Sequence, residues 1–499
     1  MRADVPKSRE APPRASAMIE ALRGLGYSPA AAIADIIDNS ISAKADLVDV
    51  TFHWAGADSW LTIADNGRGM SDAELEAAMR LGERSPLDER SKSDLGRFGL
   101  GMKTASFSQS RRLTVSSRRK DAVSTLRWDL DVLRSSKTGG WHLLEGAAPG
   151  SEQRLTIPGE ARSGTVILWE VMDRLTPAGA RQQDFLDMID RVEKHLAMVF
   201  HRLIAGRKLK LRINGALVAP WDPFLEGRLD TIRLGQSSFV VGGHRIATEA
   251  FVLPHKDRLD EKTWQSAAGP DGWTSQQGFY VYRNDRMLVA GSWLGLGRGR
   301  SWTKEEAFRL ARIRVDLPNS ADADWNIDIR KSTARPPPEA RQHLTALAEK
   351  ARDRARRVFA FRGRTTPAGK TGPVVQAWRA EHTTTGVRYR IDRSHPAISA
   401  VLDEAGAPTA LLSAMLRVIE ETVPVQQIWL DTAEARETPR TKFSELPPAE
   451  VRSVMDVIFR NLTGRKGMSV ERARAQMLLT EPFDSFPEYV SKLGGKQES

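Results

Sequence analysis

Residues 63–70 read Ile-Ala-Asp-Asn-Gly-Arg-Gly-Met and follow directly on a strand predicted over Ser59–Ala64. The carboxylate of Asp65 can accept a hydrogen bond from an exocyclic amine. Gly67 and Gly69 lack Cβ atoms, so the backbone there can approach a ligand closely. The same residues are equally typical of a simple Asp-Asn-Gly turn, a common hairpin connection. Taken alone, this stretch leaves a ligand site and a turn both open.

A second polar group precedes it, within a helix predicted over Ala17–Lys44, where residues 34–40 read Ala-Asp-Ile-Ile-Asp-Asn-Ser. Asp35, Asp38 and Asn39 stand at i, i+3 and i+4, which places them on one helical face. A carboxylate can orient or deprotonate a water, and an amide carbonyl is a good ligand for magnesium. An amphipathic surface helix without a site explains the same pattern.

A glycine-rich loop follows both groups. Residues 96–106 read Gly-Arg-Phe-Gly-Leu-Gly-Met-Lys-Thr-Ala-Ser, and apolar periodicity disappears over Gly82–Gly101. A loop of this length is a candidate lid. Its free backbone N–H groups and the following helix can hold phosphates, with Lys103 adding a positive charge. Such a glycine pattern on its own is as typical of a flexible loop as of a phosphate site.

The order of these three groups, completed by Gly164-Thr165 on a predicted strand, resembles the N, G1, G2 and G3 boxes of the GHKL superfamily. This superfamily contains DNA gyrase, MutL, the heat-shock chaperones and the histidine kinases. Within it, residues 38–43 (Asp-Asn-Ser-Ile-Ser-Ala) are similar to the Glu/Asp-Asn-Ser-Leu-Asp-Ala of MutL and MORC proteins. Residues 63–70 match the G1 box of those proteins almost residue for residue.

The resemblance implies a left-handed split β-α-β sandwich that binds ATP and Mg²⁺ mainly through residues 30–110. Asp65 would bind the adenine amine with support from Thr165, Asn39 would ligate magnesium, and Asp35 would act as the general base. The ATP contacts that the resemblance implies are Asn39, Ala43, Asp65, Gly67, Gly69, Met70, Gly96, Phe98, Gly99, Leu100, Gly101, Met102, Lys103 and Thr165.

Two positions depart from the family pattern. The general base is usually glutamate, whereas this chain has Asp35, whose side chain is one methylene shorter. We therefore expect ATP hydrolysis to be slow. The family's aspartate after the N box is replaced by Ser42.

A fifth similarity lies at residues 324–332, Asp-Trp-Asn-Ile-Asp-Ile-Arg-Lys-Ser. This segment resembles the strand and loop of the MutL transducer domain from which a lysine reaches the γ-phosphate. Lys331 would then sense the nucleotide from a second domain, by a contact made only when the γ-phosphate is present. An exposed basic turn is the alternative.

The sequence predicts an α+β protein with several domains, since 499 residues exceed one compact core. A strand near Lys208–Ile213 is expected in the second of its α/β regions. The predicted divisions are an N-terminal strap (1–16), a GHKL ATP-binding domain (17–177), an S5-like transducer domain (178–340), a basic helix and linker (341–372) and a helical C-terminal domain of unknown role (373–499).

Composition narrows the class of protein further. The chain is 40% hydrophobic and has no apolar run long enough to span a bilayer. Without a signal-peptide pattern behind Met1, it is expected to be cytoplasmic with no membrane partner. The absence of cysteine excludes disulfides and thiolate metal sites. A formal charge of +11 favours a polyanionic partner such as DNA.

Basic residues are concentrated in the predicted helix Glu339–Phe361 and the linker after it, and could follow a phosphate backbone. These residues are Arg352, Arg354, Arg356, Arg357, Arg362 and Arg364. A solvated helix face is the alternative, since charge runs commonly have no partner.

The expected function is that of an ATP-gated homodimeric clamp on DNA, similar to bacterial MORC-like proteins, in repair, restriction or antiphage defence. The alternative is a chaperone-like ATPase that acts on protein clients, or a partner-dependent regulatory ATPase. Kinase activity is not expected, because the chain leaves no room upstream for the histidine-bearing helices. Nuclease activity is not expected either, because the tail lacks a Gln-His-Ala metal motif. A nuclease or methyltransferase partner would supply such chemistry.

Overall fold

The computed structural model describes residues 14–24, 26–82, 101–136, 140–159, 161–318, 321, 324–327, 333–360, 375–383, 386–403, 408–425, 428, 449–480 and 482–494. The chain divides into two compact units, Met1–Gly363 and Arg364–Ser499. Helices and strands alternate irregularly in both, so the predicted α+β class is confirmed.

The first unit opens with a mixed sheet. Its strands are β1 (Leu47–His53), β2 (Trp60–Asp65), β3 (Arg112–Arg119), β4 (Ala122–Asp129), β5 (Leu144–Glu145), β6 (Gly164–Glu170), β7 (Lys210–Ile213) and β8 (Ala216–Leu217). In space they run β5-β4-β3-β6-β2-β1-β7-β8. Because β6 and β2 are central, the ends of these strands lie far from solvent-exposed sheet edges.

The helices beside this sheet are α1 (Ala15–Arg23), α2 (Pro29–Ser42), α3 (Asp72–Met79), α4 (Gly101–Phe107), α5 (Leu130–Ser135), α6 (Gln182–Val199) and α7 (His201–Ala205). The start of α2 is fixed locally, since the Ser28 side chain accepts from the Ala31 N–H and Pro29 occupies the first turn. Helix α2 packs against both α4 and α6. Helix α2 therefore contacts both α4, which lies beside the first sheet, and α6, which precedes the second sheet in the sequence.

Two sequence-based expectations are corrected here. The single helix predicted over Ala17–Lys44 is two helices, α1 and α2, because the cap at Ser28 and Pro29 starts a new helix. The strand expected in the second α/β region instead pairs in parallel with β1, where Leu47 lies opposite Lys210. Local sequence pattern predicts a strand correctly but carries no information on which sheet it joins.

A second mixed sheet follows in the same unit. Its strands are β9 (Ile232–Val241), β10 (His244–Val252), β11 (Gly278–Arg283), β12 (Arg286–Ser292) and β13 (Ala311–Leu317), with helices α8 (Glu261–Ala267) and α9 (Pro338–Ala360). In space the strands run β12-β11-β13-β10-β9. Helix α9 packs on β9, β10 and β13 through Ala340, Leu344 and Ala348, whose four-residue spacing forms an apolar stripe.

Both interpretations of this basic helix require its arginines to be exposed, but one of the arginines in α9 is buried. Arg354, Arg356 and Arg357 are exposed. Arg352 is buried, with its guanidinium carbon 3.6 Å from the ring centroid of Phe308. Arg352 is thus a packing residue and is removed from the predicted DNA-contacting set. Arg362 and Arg364 lie outside the described residues.

Aromatic and charged contacts join the two sheets. Tyr282 of β11 is fully buried in the core shared with the first sheet. Its hydroxyl lies 2.8 Å from His201 Nε2, and the guanidinium of Arg202 covers its ring at 3.5 Å. Burial, with Arg202 beside it, lowers the pKa of His201 to about 3. His201 is therefore neutral near pH 7, which suits a hydrogen bond at a buried interface.

The C-terminal unit contains a hairpin of β14 (Trp378–Thr383) and β15 (Gly386–Ile391). Its helices are α10 (Pro396–Leu402), α11 (Thr409–Glu421), α12 (Ala449–Arg460), α13 (Val470–Met477) and α14 (Pro487–Lys492). Met455, Ile458 and Met477 form part of its small apolar core. The mainly helical character expected for this region is confirmed. Among the described residues of the whole chain, no helix is long and apolar enough to cross a membrane.

Candidate functional site

Asp65 stands at the end of β2 and is only 5% exposed. Its Oδ1 accepts from the Gly67 N–H at 2.8 Å, and its Oδ2 accepts from the Ser40 hydroxyl of α2 at 2.8 Å. Burial raises the pKa of Asp65, while the hydrogen bonds from Gly67 and Ser40 oppose that rise. The result is a buried carboxylate that is held in place by donors from both the strand end and α2.

Strand β6 supplies the neighbouring wall. Thr165 pairs with Asp65 in the antiparallel β2–β6 register. Its hydroxyl lies 2.9 Å from that of Ser117, which also accepts from the Met70 N–H at 2.8 Å. Thr165 is therefore brought together with Asp65 and Met70, which belong to a different part of the sequence.

The glycines after β2 are required by close packing of the chain on itself. Gly69 has φ +66°, and a Cβ there would lie 1.8 Å from the Arg118 carbonyl oxygen. A Cβ on Gly67 would lie 2.9 Å from Asp65 Oδ1 and 3.0 Å from the Cβ of Ala43. This segment is therefore more than a generic turn, because its glycines let it lie directly against α2 and β3.

The three polar residues of α2 do not share one environment. Asp35 is 5% exposed and its Oδ2 accepts from the Tyr27 hydroxyl at 3.0 Å. Asn39 is exposed. Asp38 is 1% exposed and pairs with Arg286 of the second sheet, with its Oδ1 3.1 Å from Arg286 Nε. The sequence spacing placed all three on one face, whereas packing against α6 and β12 separates them.

Lys103, which the resemblance assigns to the phosphates, is buried and contacts the end of α3. Its Nζ donates to the carbonyl oxygens of Ala78 at 2.8 Å and Arg80 at 2.6 Å, at the C-terminal end of α3. The ammonium thus satisfies carbonyl groups that the end of a helix leaves without intrahelical donors.

Several predicted residues cannot be placed. Gly96, Phe98, Gly99, Leu100 and Lys331 lie outside the described residues. Gly101 and Met102 are described at the start of α4 and are half-buried. A Cβ on Gly101 would lie 3.8 Å from Asp35 Oδ2, so the end of the glycine-rich loop is beside α2.

Sequence reasoning missed three residues that build this site. Ser40 and Ser117 hold Asp65 and Met70, and Tyr27 holds Asp35. Ser40 stood within the quoted polar group, next to Asn39, so its position carried a signal. Ser117 and Tyr27 lie in an ordinary strand and an ordinary loop, where nothing in the sequence marks them.

Comparison with known proteins shows which family this part of the chain resembles. Residues 27–153 match the family of histidine kinase-, DNA gyrase B- and HSP90-like ATPases. This part of the chain is therefore of the GHKL type. The matched range contains α2, β2 and the glycine segment after it, which are the elements that surround Asp65.

The chain is also similar to MutL over a longer stretch than the GHKL match. The chain is 27% identical over 321 residues to the DNA mismatch repair protein MutL of Rhodospirillum rubrum, covering 62% of this chain and 46% of that protein. It is 34% identical over 99 residues to MutL of Halobacterium salinarum, covering 19% and 15%. The chain thus spans less than half the length of the curated relatives it matches.

We predict that Gly69→Ala destabilises the GHKL domain far more than Gly56→Ala. Both glycines have φ near +60°, so the alanine strain is about 1 kcal/mol or more in each. Only Gly69 would also bring a Cβ against backbone, whereas nothing lies within 4 Å of a Cβ on Gly56. Thermal denaturation of both variants measures the difference. Equal melting temperatures would show that the close packing after β2 is absent in solution.

Proposed function

We propose that this chain binds and slowly hydrolyses ATP in the pocket beside Asp65, and that nucleotide binding closes a homodimeric clamp around DNA. One observation supports the proposed binding of ATP. Asp65 is a buried carboxylate positioned by Ser40 and Gly67 at the end of a central strand. A buried acceptor of this kind selects strongly for a ligand that donates a hydrogen bond, because an unpaired partner is costly there.

The described residues fit the nucleotide that the family binds. Asp65 and Thr165 would hold the adenine, and Met70 and Gly69 would lie against it. Asn39 would hold magnesium through its exposed amide oxygen. The described residues include no group of three or more acidic or histidine side chains that could hold a metal alone. This agrees with an ion that takes most of its oxygen ligands from water and phosphate.

In this proposal Asp35 is the general base. Its carboxylate lies on α2 one turn before Asn39 and accepts from the Tyr27 hydroxyl. Magnesium, when bound with the nucleotide, would neutralise charge on the phosphates. Asp35 would orient and deprotonate the attacking water. Its side chain is shorter than the usual glutamate, so we propose that turnover is slow. Lys331, which follows β13 in the sequence, would contact the γ-phosphate.

Two variants separate binding from hydrolysis. Asp65→Asn should weaken ATP binding about 10- to 100-fold, since it removes a charged hydrogen-bond acceptor. Asp35→Asn should leave the dissociation constant nearly unchanged but slow hydrolysis about 100-fold or more. Calorimetric titration and phosphate release measure the two quantities.

Asp58→Asn is the matched control, since Asp58 is an exposed carboxylate near β1 and β2. It should change neither quantity. ATP binding by Asp65→Asn at the unsubstituted strength would remove Asp65 from the pocket. Full hydrolysis by Asp35→Asn would remove Asp35 from catalysis.

Three observations support DNA as the partner. The matched relatives are DNA mismatch repair proteins by name. The formal charge is +11. Arg354, Arg356 and Arg357 form an exposed basic group on α9, which could contact phosphates. Within this proposal the biological setting is repair, restriction or antiphage defence of the bacterial MORC-like kind. A nuclease or methyltransferase partner would supply any cleavage or modification.

Sedimentation tests the clamp. The chain should dimerise with a non-hydrolysable ATP analogue but not with ADP, and the dimer should stay on closed circular DNA at high salt. Replacing Arg354, Arg356 and Arg357 with alanine should reduce the slope of log affinity against log salt by about two to three. The matched control replaces the exposed Arg191, Arg207 and Lys210 and should leave that slope unchanged.

A chain that stays monomeric with every nucleotide and is not retained on DNA would contradict the clamp. In that case, stimulation of ATP hydrolysis by an unfolded protein client would favour a chaperone-like ATPase instead.

A further inference from the structure

A buried ion pair connects α2 directly to the second sheet. Asp38 of α2 is 1% exposed and Arg286 of β12 is 3% exposed. Arg286 Nε donates to Asp38 Oδ1 at 3.1 Å, across 248 positions of sequence. Asp38 adjoins Asn39 and lies one helical turn after Asp35, the two α2 residues placed above against phosphate and water. The pair therefore joins the helix that we propose to contact the nucleotide to a strand that contributes none of the proposed ATP-contacting residues.

Arg286 is held firmly at its own end. Its Nη1 donates to the Met287 carbonyl oxygen at 2.6 Å, and its guanidinium carbon lies 5.8 Å from the ring centroid of Phe200. Separating the two side chains would leave each with an unpaired buried charge, which costs free energy. The two side chains would therefore move together. A displacement of α2 at Asp38 is thus transmitted to β12 at Arg286.

The packing around this pair leaves space for such a displacement. A cavity of about 240 Å³ lies beside it, lined by Ala31 of α2, His195 and Met198 of α6, and Arg286 and Ala290 of β12. Protein interiors are otherwise close-packed and resist small shifts. An open volume beside the pair would give α2 and β12 room to shift together against α6 while the pair stays intact.

We infer that the Asp38–Arg286 pair couples the nucleotide pocket to the second sheet, so that the position of α2 sets the position of β12. Asp38 is in this sense a positioning residue, because its carboxylate acts through Arg286. The inference rests on the proposed function, since it requires nucleotide binding to shift α2. It assigns a role to an acidic side chain that, in the sequence, seemed to belong with Asp35 and Asn39.

The absence of cysteine from the chain allows a direct test, because two introduced thiols are then the whole set of labelling sites. Asp58→Cys beside β1 and Val240→Cys on β9 are exposed positions that report on the first and second sheets. Spin labels at these sites, measured by pulsed electron resonance with and without a magnesium–ATP analogue, give the distance between the sheets. Nucleotide affinity is measured on the same samples.

The informative variant replaces both partners, as Asp38→Leu with Arg286→Met. Exchanging a buried ion pair for apolar residues of similar volume is commonly neutral or stabilising, so this variant should fold. We expect it to bind the analogue within about threefold of the unsubstituted protein. The nucleotide-dependent change in distance should be lost. The single variant Asp38→Asn should reduce that change and should melt at a lower temperature.

Asp316→Asn is the matched control. Asp316 of β13 pairs with Arg202 of α7 at 2.5 Å, so its loss removes a charge pair across the same interface without touching α2. It should keep the full change in distance. An unchanged response in the Asp38→Leu, Arg286→Met variant would overturn the inference, since the pair would then be structural only.

Two other outcomes also overturn the inference, and they separate it from the proposed function. If the unsubstituted protein binds the analogue but the distance stays constant, the nucleotide pocket stands and the coupling is wrong. If the doubly substituted variant folds but no longer binds, Asp38 serves the pocket itself. A protein that binds no nucleotide at all would refute the proposed function and this inference with it.

Discussion

The site depends on keeping a carboxylate inside the protein. Asp65 is almost completely buried, and such a charge is stable only if donors surround it. Ser40 and Gly67 provide them, so α2, the end of β2 and the glycine segment after it must all be in place together. The glycines follow from this requirement, because a side chain at Gly67 would meet both Asp65 and Ala43. A buried acceptor at a defined position is also what distinguishes a binding site from a turn.

Helix α2 links that acceptor to the rest of the first unit. Through Ser40 it contacts β2, and through Asp38 it contacts β12. Helix α6 packs against both α2 and β12, and the aromatic contact of His201 with Tyr282 continues the same interface. One helix thus contains the proposed catalytic base, the proposed magnesium ligand and the connection to the second sheet. This arrangement explains why Ile33, Ile36 and Ile37 are fully buried while Asn39 faces solvent, unlike Asp35 and Asp38.

Much of the local structure follows from sequence because it is set by local chemistry. The strand before Asp65, the helix at α3 and the apolar stripe of α9 are all fixed by short-range periodicity and caps. The division of α1 from α2 is likewise set by local chemistry, at Ser28 and Pro29. What sequence could not give is long-range pairing: β7 joins the first sheet, Lys103 caps α3, and Arg352 is buried under aromatic rings. Each of these depends on residues that are distant in the chain.

The most direct test of the central claim is hydrogen–deuterium exchange of the full chain with and without a magnesium–ATP analogue. Nucleotide bound beside Asp65 should slow exchange of the backbone amides in residues 35–43, 65–70 and 164–166, which surround the pocket. Protection confined to other parts of the chain, or none at a saturating concentration of the analogue, would contradict the account.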